Sequence, residues 1–333
     1  MAAKPSQRQV FAALRRAGDA LSLPELSAEL EYAVPERTLR RWLSQWVDDG
    51  QVVRTGNRRS TRYRLADQSA VPEFEFLKSL NESRQIALLA QLRDLWTHHS
   101  TAVEGNTLSL GDTHIVLEQG LTISGKPIKD HQEVIGHSRA IDILYKCFAR
   151  PITEAVVFDL HKAVQTELVT DIYKPTGAWK LEPNGTYVVT RDGRQVYLEY
   201  AAPSEVPHLM SEIIEEINDL HEPALTLLTA PMAYAKIHAG IAHTHPFWDG
   251  NGRIARLLAN VPLLRAGLPP IVVPVQRRQV YIRLLADYEF ALGVIDRRTG
   301  VWPNPDLLTE FETFCDECYA STKALVDQAH TGN

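Results

Sequence analysis

Apolar residues recur at helical spacing along most of this chain. Val10 and Leu14, with neighbouring alanines, form a first stripe that ends near Gly18, and Ser22 then caps a second short helix with Pro24 in its first turn. A third helix opens after Pro35, carries Leu39, Trp42, Leu43, Trp46 and Val47 at helical spacing, and stops at Gly50. Its tryptophans are assigned to the core. Residues 51–54 and 61–65 alternate like two strands around the turn Thr55-Gly56-Asn57.

Periodicity lapses over residues 67–81, where Ser69, Ala70, Pro72 and Glu73 predict a linker. From about Ser83 the pattern is helical again, with Ile86, Leu88, Leu89, Leu92 and Leu95 in one stripe, Val134, Ile135, Ile141 and Leu144 in another, and Val156, Val157 and Leu160 in a third. Residues 185–200 break the rule: Thr186-Tyr187-Val188-Val189 and Val196-Tyr197-Leu198 alternate about Arg191-Asp192-Gly193-Arg194, which predicts a β-hairpin inside a helical domain. The fold class is mainly α, with a small domain at 1–66, a larger one at 82–326 and a disordered tail at 327–333. The order of elements in residues 1–66 resembles the winged helix-turn-helix family.

Composition refines this outline. A chain of 333 residues, 44% hydrophobic, buries a substantial core and is long enough for two domains. The net charge of −6 is unevenly spread: twelve Lys or Arg against seven Asp or Glu give residues 1–66 about +5, and the remainder carries about −11. Arg37, Arg40 and Arg41 are placed opposite the tryptophans, and Arg58, Arg59 and Arg62 at the turn between the strands, where duplex DNA phosphates would lie. Cys147, Cys315 and Cys318 are too few for a disulfide framework and suit a reducing cytoplasm; the last two fall among Phe311, Phe314 and Tyr319 as a packed helix face. No apolar run approaches membrane-spanning length, so a cytoplasmic protein with no membrane partner is expected.

Chemistry concentrates between residues 245 and 256, His245-Pro246-Phe247-Trp248-Asp249-Gly250-Asn251-Gly252-Arg253-Ile254-Ala255-Arg256. Ile237 and Ile241 end one helix before it; Ile254, Leu257, Leu258 and Val261 begin another after Gly252. The glycines allow a tight turn and leave amide N–H groups free at the second helix's start, a natural anion site. Arg253 and Arg256 stand in that helix's first turns, where the dipole disfavours each by about 0.3–1 kcal/mol. A polyphosphate would reconcile them. Asp249 is a hard oxygen ligand suited to Mg2+ shared with phosphate, and His245 is a base near neutrality. No Lys-Ser or Lys-Thr follows the glycines, which excludes a Walker loop.

The stretch fills every fixed position of H-P-F-x-[D/E]-G-N-G-R-x-x-R and so resembles the Fic family signature. The resemblance implies a helical Fic core in which His245 deprotonates a target hydroxyl, Asp249 holds Mg2+, Gly250, Asn251 and Gly252 form the anion hole, and Arg253 and Arg256 grip the β- and γ-phosphates of ATP. AMP would pass to a Ser, Thr or Tyr hydroxyl of a protein. The hairpin resembles the Fic flap, with Tyr187, Val188 and Val189 offering a strand edge to the target. Lys180 stands where many relatives have Arg. Tyr281 resembles an adenine-pocket position, and the family resemblance further implies a homodimer.

The helix of residues 86–105 ends at Ser100-Thr101-Ala102-Val103-Glu104-Gly105, where a carboxylate opposes the helix dipole. Two local misfits cancel if Glu104 faces Arg256. The segment also matches the Fic inhibitory motif [S/T]-x-x-x-E-[G/N], with Ser100 and Glu104 at its fixed positions, and so implies an autoinhibited adenylyltransferase. Two alternatives stand beside that reading: AMP removal at the same site with Glu104, and a DNA-binding regulator whose Fic core senses nucleotide.

Overall fold

The protein, a computed structural model, is described at residues 7–17, 20–30, 34–48, 52–56, 61–65, 74–166, 171–189, 193–220 and 225–331. Arg58, Arg59 and the turn residues Asn57, Arg191 and Asp192 lie outside them. The chain divides into two compact units, Met1–Val71 and Pro72–Asn333.

The first unit comprises α1 (Gln7–Ala17), β1 (Leu21–Ser22), α2 (Leu23–Ala28), α3 (Glu36–Asp48), β2 (Val52–Thr55) and β3 (Arg62–Leu65). Its sheet is antiparallel with order β1-β3-β2. The first strand, two residues long, carries too little alternation to be read from sequence. Ser22 caps α2 through a full capping box with Glu25. Val10, Leu14, Leu26, Leu39, Leu43 and Trp46 close the core, with Trp42 only partly buried and stacked on Trp46.

The second unit is helical around α9 (Ala230–Thr244), a mostly apolar helix buried at nearly every position. Before it run α4 (Glu82–Val103), α5 (Leu110–His114), α6 (Ile128–Cys147), α7 (Glu154–Val164), the hairpin β4 (Gly185–Val189) and β5 (Gln195–Glu199), and α8 (Val206–Asp219). After it come α10 (Asn251–Leu258), α11 (Val261–Arg265), α12 (Arg278–Leu292) and α13 (Thr309–Thr331). Alanines and Gly240 let neighbours approach α9 closely: a Cβ at Gly240 would stand 2.9 Å from Val301.

Two expected boundaries are corrected. The linker predicted to reach residue 81 is structured from Phe74, which is buried against Phe76, Tyr145 and Phe148, while Phe76 donates its N–H to Gly267. Four apolar residues in seven, Phe74, Phe76, Leu77 and Leu80, outweigh the weak periodicity. The tail predicted to be disordered from 327 is helix to Thr331, held where His330 bonds the Phe76 carbonyl and Ser79. Cys315 and Cys318 are both buried on α13 as packing residues. Among the described residues, no helix is long and apolar enough to cross a membrane.

Candidate active site

The 245–256 stretch joins two helices whose ends differ in kind. α9 ends at His245 in left-handed conformation, φ 49°, a strained choice for a non-glycine residue. Its ring Nδ1 donates to the Ala242 carbonyl at 3.1 Å, and the Tyr200 ring stacks on it with centroids 3.8 Å apart and planes 2° from parallel. That hydrogen bond commits Nδ1 as donor and leaves Nε2 as the proton acceptor. Burial pulls the imidazole pKa down to about 4, so the ring is the neutral base at pH 7.

α10 begins at Gly250, φ 82°, and has no side-chain cap. Asn251 turns back instead, accepting from Phe247 N–H at 2.8 Å and donating to the Phe247 carbonyl at 2.8 Å. The turn is thus closed by its own asparagine, and the helix start takes no side-chain cap. His161 supports it from α7: the ring stacks on Phe247 at 3.8 Å, donates to the Asp249 carbonyl at 3.1 Å and accepts from Gly177 N–H at 2.8 Å.

Glu104 is the C-cap of α4 and reaches this helix start. Its Oε1 lies 2.6 Å from Nη2 of Arg256, and a Cβ at Gly252 would come within 2.5 Å of the same oxygen. The carboxylate therefore occupies the ground an anion at the helix start would take. Arg256, with 2% of its side chain exposed, has three further acceptors: Ser100 Oγ at 3.0 Å, the Ser100 carbonyl at 2.9 Å and Tyr281 Oη at 3.0 Å. Tyr281 in turn bonds His238 Nε2 at 3.0 Å. The loop after Glu104 is pinned to α6, where Asp130 accepts from Thr107 N–H at 2.8 Å and Asn106 donates to the Asp130 carbonyl at 2.9 Å. Glu104 is held in place by both sides.

A cavity of about 620 Å³ opens beside these groups, lined by Glu104, His245, Asn251, Gly252, Tyr281 and, from the hairpin, Thr186, Tyr187 and Val188. Tyr187 is 67% exposed and pairs across the sheet with Tyr197. β4 has β5 on one side and no described strand on the other; of Val189, the strand position alone is described.

Not every expected group converges there. Arg253 sends Nη1 to the Val164 carbonyl at 2.9 Å and Nη2 to Asp249 Oδ2 at 3.1 Å, so the two arginines address different partners. Opposite charges four residues apart meet at a helix start, and the Arg253–Asp249 pair stands outside the cavity wall. Tyr281, expected beside a base, is 4% exposed and tied through its hydroxyl to Arg256. The Asp249 side chain is 57% exposed with one oxygen unpaired among the described residues, a single hard donor that fits an ion shared with phosphate and not a protein cage.

Four contributors left little trace in the sequence. Tyr200 and His161 are aromatic residues on ordinary elements. Asn184 donates to the Phe247 carbonyl at 3.0 Å. Lys180 is 2% exposed, donates Nζ to Asn184 Oδ1 at 2.6 Å and its N–H to the Pro246 carbonyl at 2.8 Å, and burial lowers its pKa to about 7. The lysine after Gly177-x-Trp179 was visible; its place under the motif loop was not.

Residues 151–263 match the family model described as Fic/DOC. The matched stretch lies within the helical unit and includes the 245–256 motif. Among curated proteins, the chain is 33% identical over 217 residues to the protein adenylyltransferase fic-1 of Caenorhabditis elegans, an alignment covering 63% of this chain and 39% of that protein. It is 30% identical over 223 residues to the protein adenylyltransferase Fic of Drosophila yakuba, with 66% and 42% covered. The chain thus spans about two fifths of these relatives' length. Among solved structures, a Fic domain containing signaling protein from Bacteroides thetaiotaomicron superimposes with TM-score 0.66 at 28% identity, covering 77% of this chain and 93% of the other. A fragment of Fic-1 from C. elegans gives TM-score 0.58 at 28% identity, with 78% and 70% covered.

Proposed function

We propose that this chain transfers AMP from ATP to a hydroxyl of a protein, and that Glu104 restrains the reaction. The observation that carries this is the position of Glu104 Oε1 against both Arg256 and Gly252, in the wall of a cavity that His245 also lines. The Fic/DOC match and the relatives named as adenylyltransferases support it.

In this mechanism the target hydroxyl gives its proton to His245 Nε2 as its oxygen bonds the α-phosphorus, and the bond to the bridging oxygen breaks to release pyrophosphate. Tyr200 and the Ala242 carbonyl keep the ring aimed. Amides of Gly250, Asn251 and Gly252 receive phosphate oxygens at the α10 start. Arg253 exchanges Asp249 for the β-phosphate, and Arg256 exchanges Glu104 for the γ-phosphate. Asp249 would hold a magnesium ion arriving with the nucleotide, which supplies charge neutralisation on the phosphate oxygens. Tyr187, Val188 and Val189 present the free edge of β4 to an extended target segment.

The test is labelled ATP with the Glu104→Gly chain, alone and in cell lysate. Covalent label should rise strongly over the unsubstituted chain and vanish when His245→Ala is added. No covalent product in either mixture would falsify the transferase reading. A second reading, AMP removal, is favoured by one feature: Glu104 is 40% exposed and shares the cavity with His245, where it can orient a water. A pre-modified target incubated with the unsubstituted and Glu104→Gly chains separates the two, since removal requires the carboxylate.

We further propose that residues 1–66 form a winged helix-turn-helix that binds duplex DNA through Arg37 and Arg41, both exposed on α3. Arg40 is paired with Glu36 at 2.6 Å, and Arg62 with Glu25 at 3.0 Å and the Ala20 carbonyl at 2.9 Å, which leaves these two secondary. Fluorescence anisotropy against duplex DNA at two salt concentrations tests it: joint Arg37→Ala and Arg41→Ala should flatten the salt dependence by about two phosphate contacts. Homodimerisation, the remaining implication of the Fic resemblance, is read by sedimentation of the whole chain.

A further inference from the structure

The Arg256 guanidinium carries donors alone, so each neighbour must turn a lone pair towards it. A carbonyl or a carboxylate does so in any setting; a hydroxyl does so only when its own hydrogen points elsewhere. Tyr281 Oη, 3.0 Å from Arg256 Nη1, belongs to a side chain only 4% exposed. Its other hydrogen-bond partner among the described residues is Nε2 of His238 on α9, at 3.0 Å. The direction of the chain follows: Arg256 donates to Tyr281, and Tyr281 donates to His238.

His238 is fully buried against Tyr234, Tyr281 and Phe311, and its Nδ1 has no hydrogen-bond partner among the described residues. Because Nε2 accepts, Nδ1 holds the ring hydrogen, and a buried N–H without an acceptor is unfavourable. An apolar residue would fill this place on α9 at less cost. Burial, with the Arg256 charge nearby, keeps the imidazole pKa well below the usual 6.5, so Nε2 remains an acceptor at neutral pH.

We propose that His238 is a positioning residue for ATP: by taking the Tyr281 hydrogen it keeps the hydroxyl oxygen turned to Arg256, and so holds the guanidinium ready for the γ-phosphate once Glu104 has left. The inference rests on the reading of Arg256 as the γ-phosphate's partner. It applies only to nucleotides that carry that phosphate, so ATP should depend on His238 and ADP should not.

Calorimetry with magnesium ATP and magnesium ADP tests this, using the whole chain carrying Glu104→Gly and His245→Ala so that Arg256 is released and nothing turns over. Adding His238→Leu, which fills the space and accepts nothing, should weaken ATP roughly 5- to 30-fold and ADP less than about twofold. Adding His238→Gln, whose amide oxygen reaches the place of Nε2, should hold both affinities within about twofold of the parent's. Tyr281→Phe should weaken ATP by the same factor as His238→Leu, and the two together no further. Thermal melting checks folding. Parallel losses for ATP and ADP would make His238 a packing residue and overturn the proposal. So would an unchanged ATP affinity in Tyr281→Phe, a result that needs no His238 variant to fold. A parent chain that binds ATP no more tightly than ADP refutes the pairing of Arg256 with the γ-phosphate, and one that binds neither refutes the nucleotide site; the proposal falls with either.

Discussion

Glu104 meets Arg256 across 152 residues of sequence, Oε1 to Nη2 at 2.6 Å, joining the end of α4 to the second turn of α10. Each charge is unfavourable in its own helix: a carboxylate at a C-terminus, a guanidinium close to an N-terminus. Together they satisfy one another, yet the pair is lopsided. Arg256 is buried with four acceptors, whereas Glu104 is 40% exposed. Arg256 can therefore stay in place when Glu104 leaves, which a releasable brake requires.

That asymmetry ranks two substitutions. Glu104→Ala removes the half-exposed member of the pair, leaves Arg256 its three other acceptors and should cost about 1 kcal/mol of stability or less. Ser100→Ala leaves the buried Arg256 Nε without its acceptor and should cost about 1–3 kcal/mol. Urea denaturation of both chains reads the order, and a larger loss for Glu104→Ala would contradict the account.

Tyr200 is assigned to aiming the base, through a face-to-face stack on His245 at 3.8 Å. Tyr200→Phe keeps the stack and should leave kcat within about twofold, while Tyr200→Ala should lower kcat roughly tenfold or more with little change in KM for ATP. Steady-state kinetics in the Glu104→Gly background distinguish these; equal losses from Phe and Ala would shift the role to the hydroxyl.

Burial holds His245 near pKa 4, below the usual 6.5, so the proton-accepting form persists to lower pH than an exposed histidine's would. Protonation removes the base. The transfer rate of the Glu104→Gly chain should then stay level as pH falls from 8 to about 5 and drop only below that. An acid limb centred on 6.5 would mean the ring titrates as though exposed.

Lys180 gives a test in stability. Its folded pKa, lowered by burial to about 7 with Glu199 opposing, lies below the 10.5 of the unfolded chain. Between those values the unfolded state binds the extra proton, so this group's contribution grows as pH rises and is lost as pH falls through about 7. The stability of the unsubstituted chain relative to Lys180→Met should therefore increase from pH 6.5 to 9.5 in paired urea titrations. A flat difference would place Nζ in a wetter setting than its contacts with Asn184 Oδ1 and Thr244 O imply.

By itself the sequence determined what is written in local pattern. Helical periodicity set the helices, strict alternation set the hairpin, and opposed dipoles at Glu104 and Arg256 foretold a contact between residues 152 apart, because charge sign and helix polarity are both readable along the chain. The packing of Phe74 to Leu80 and the helical end of α13 were decided by apolar surfaces that meet only after folding. Tertiary structure alone set the Tyr200 ring on His245, buried Lys180 beneath the motif loop, turned Arg253 to Asp249 and joined Tyr281 to His238. Those relationships depend on distance and on exclusion of water between segments remote in sequence, and a one-dimensional pattern of residue types carries neither quantity.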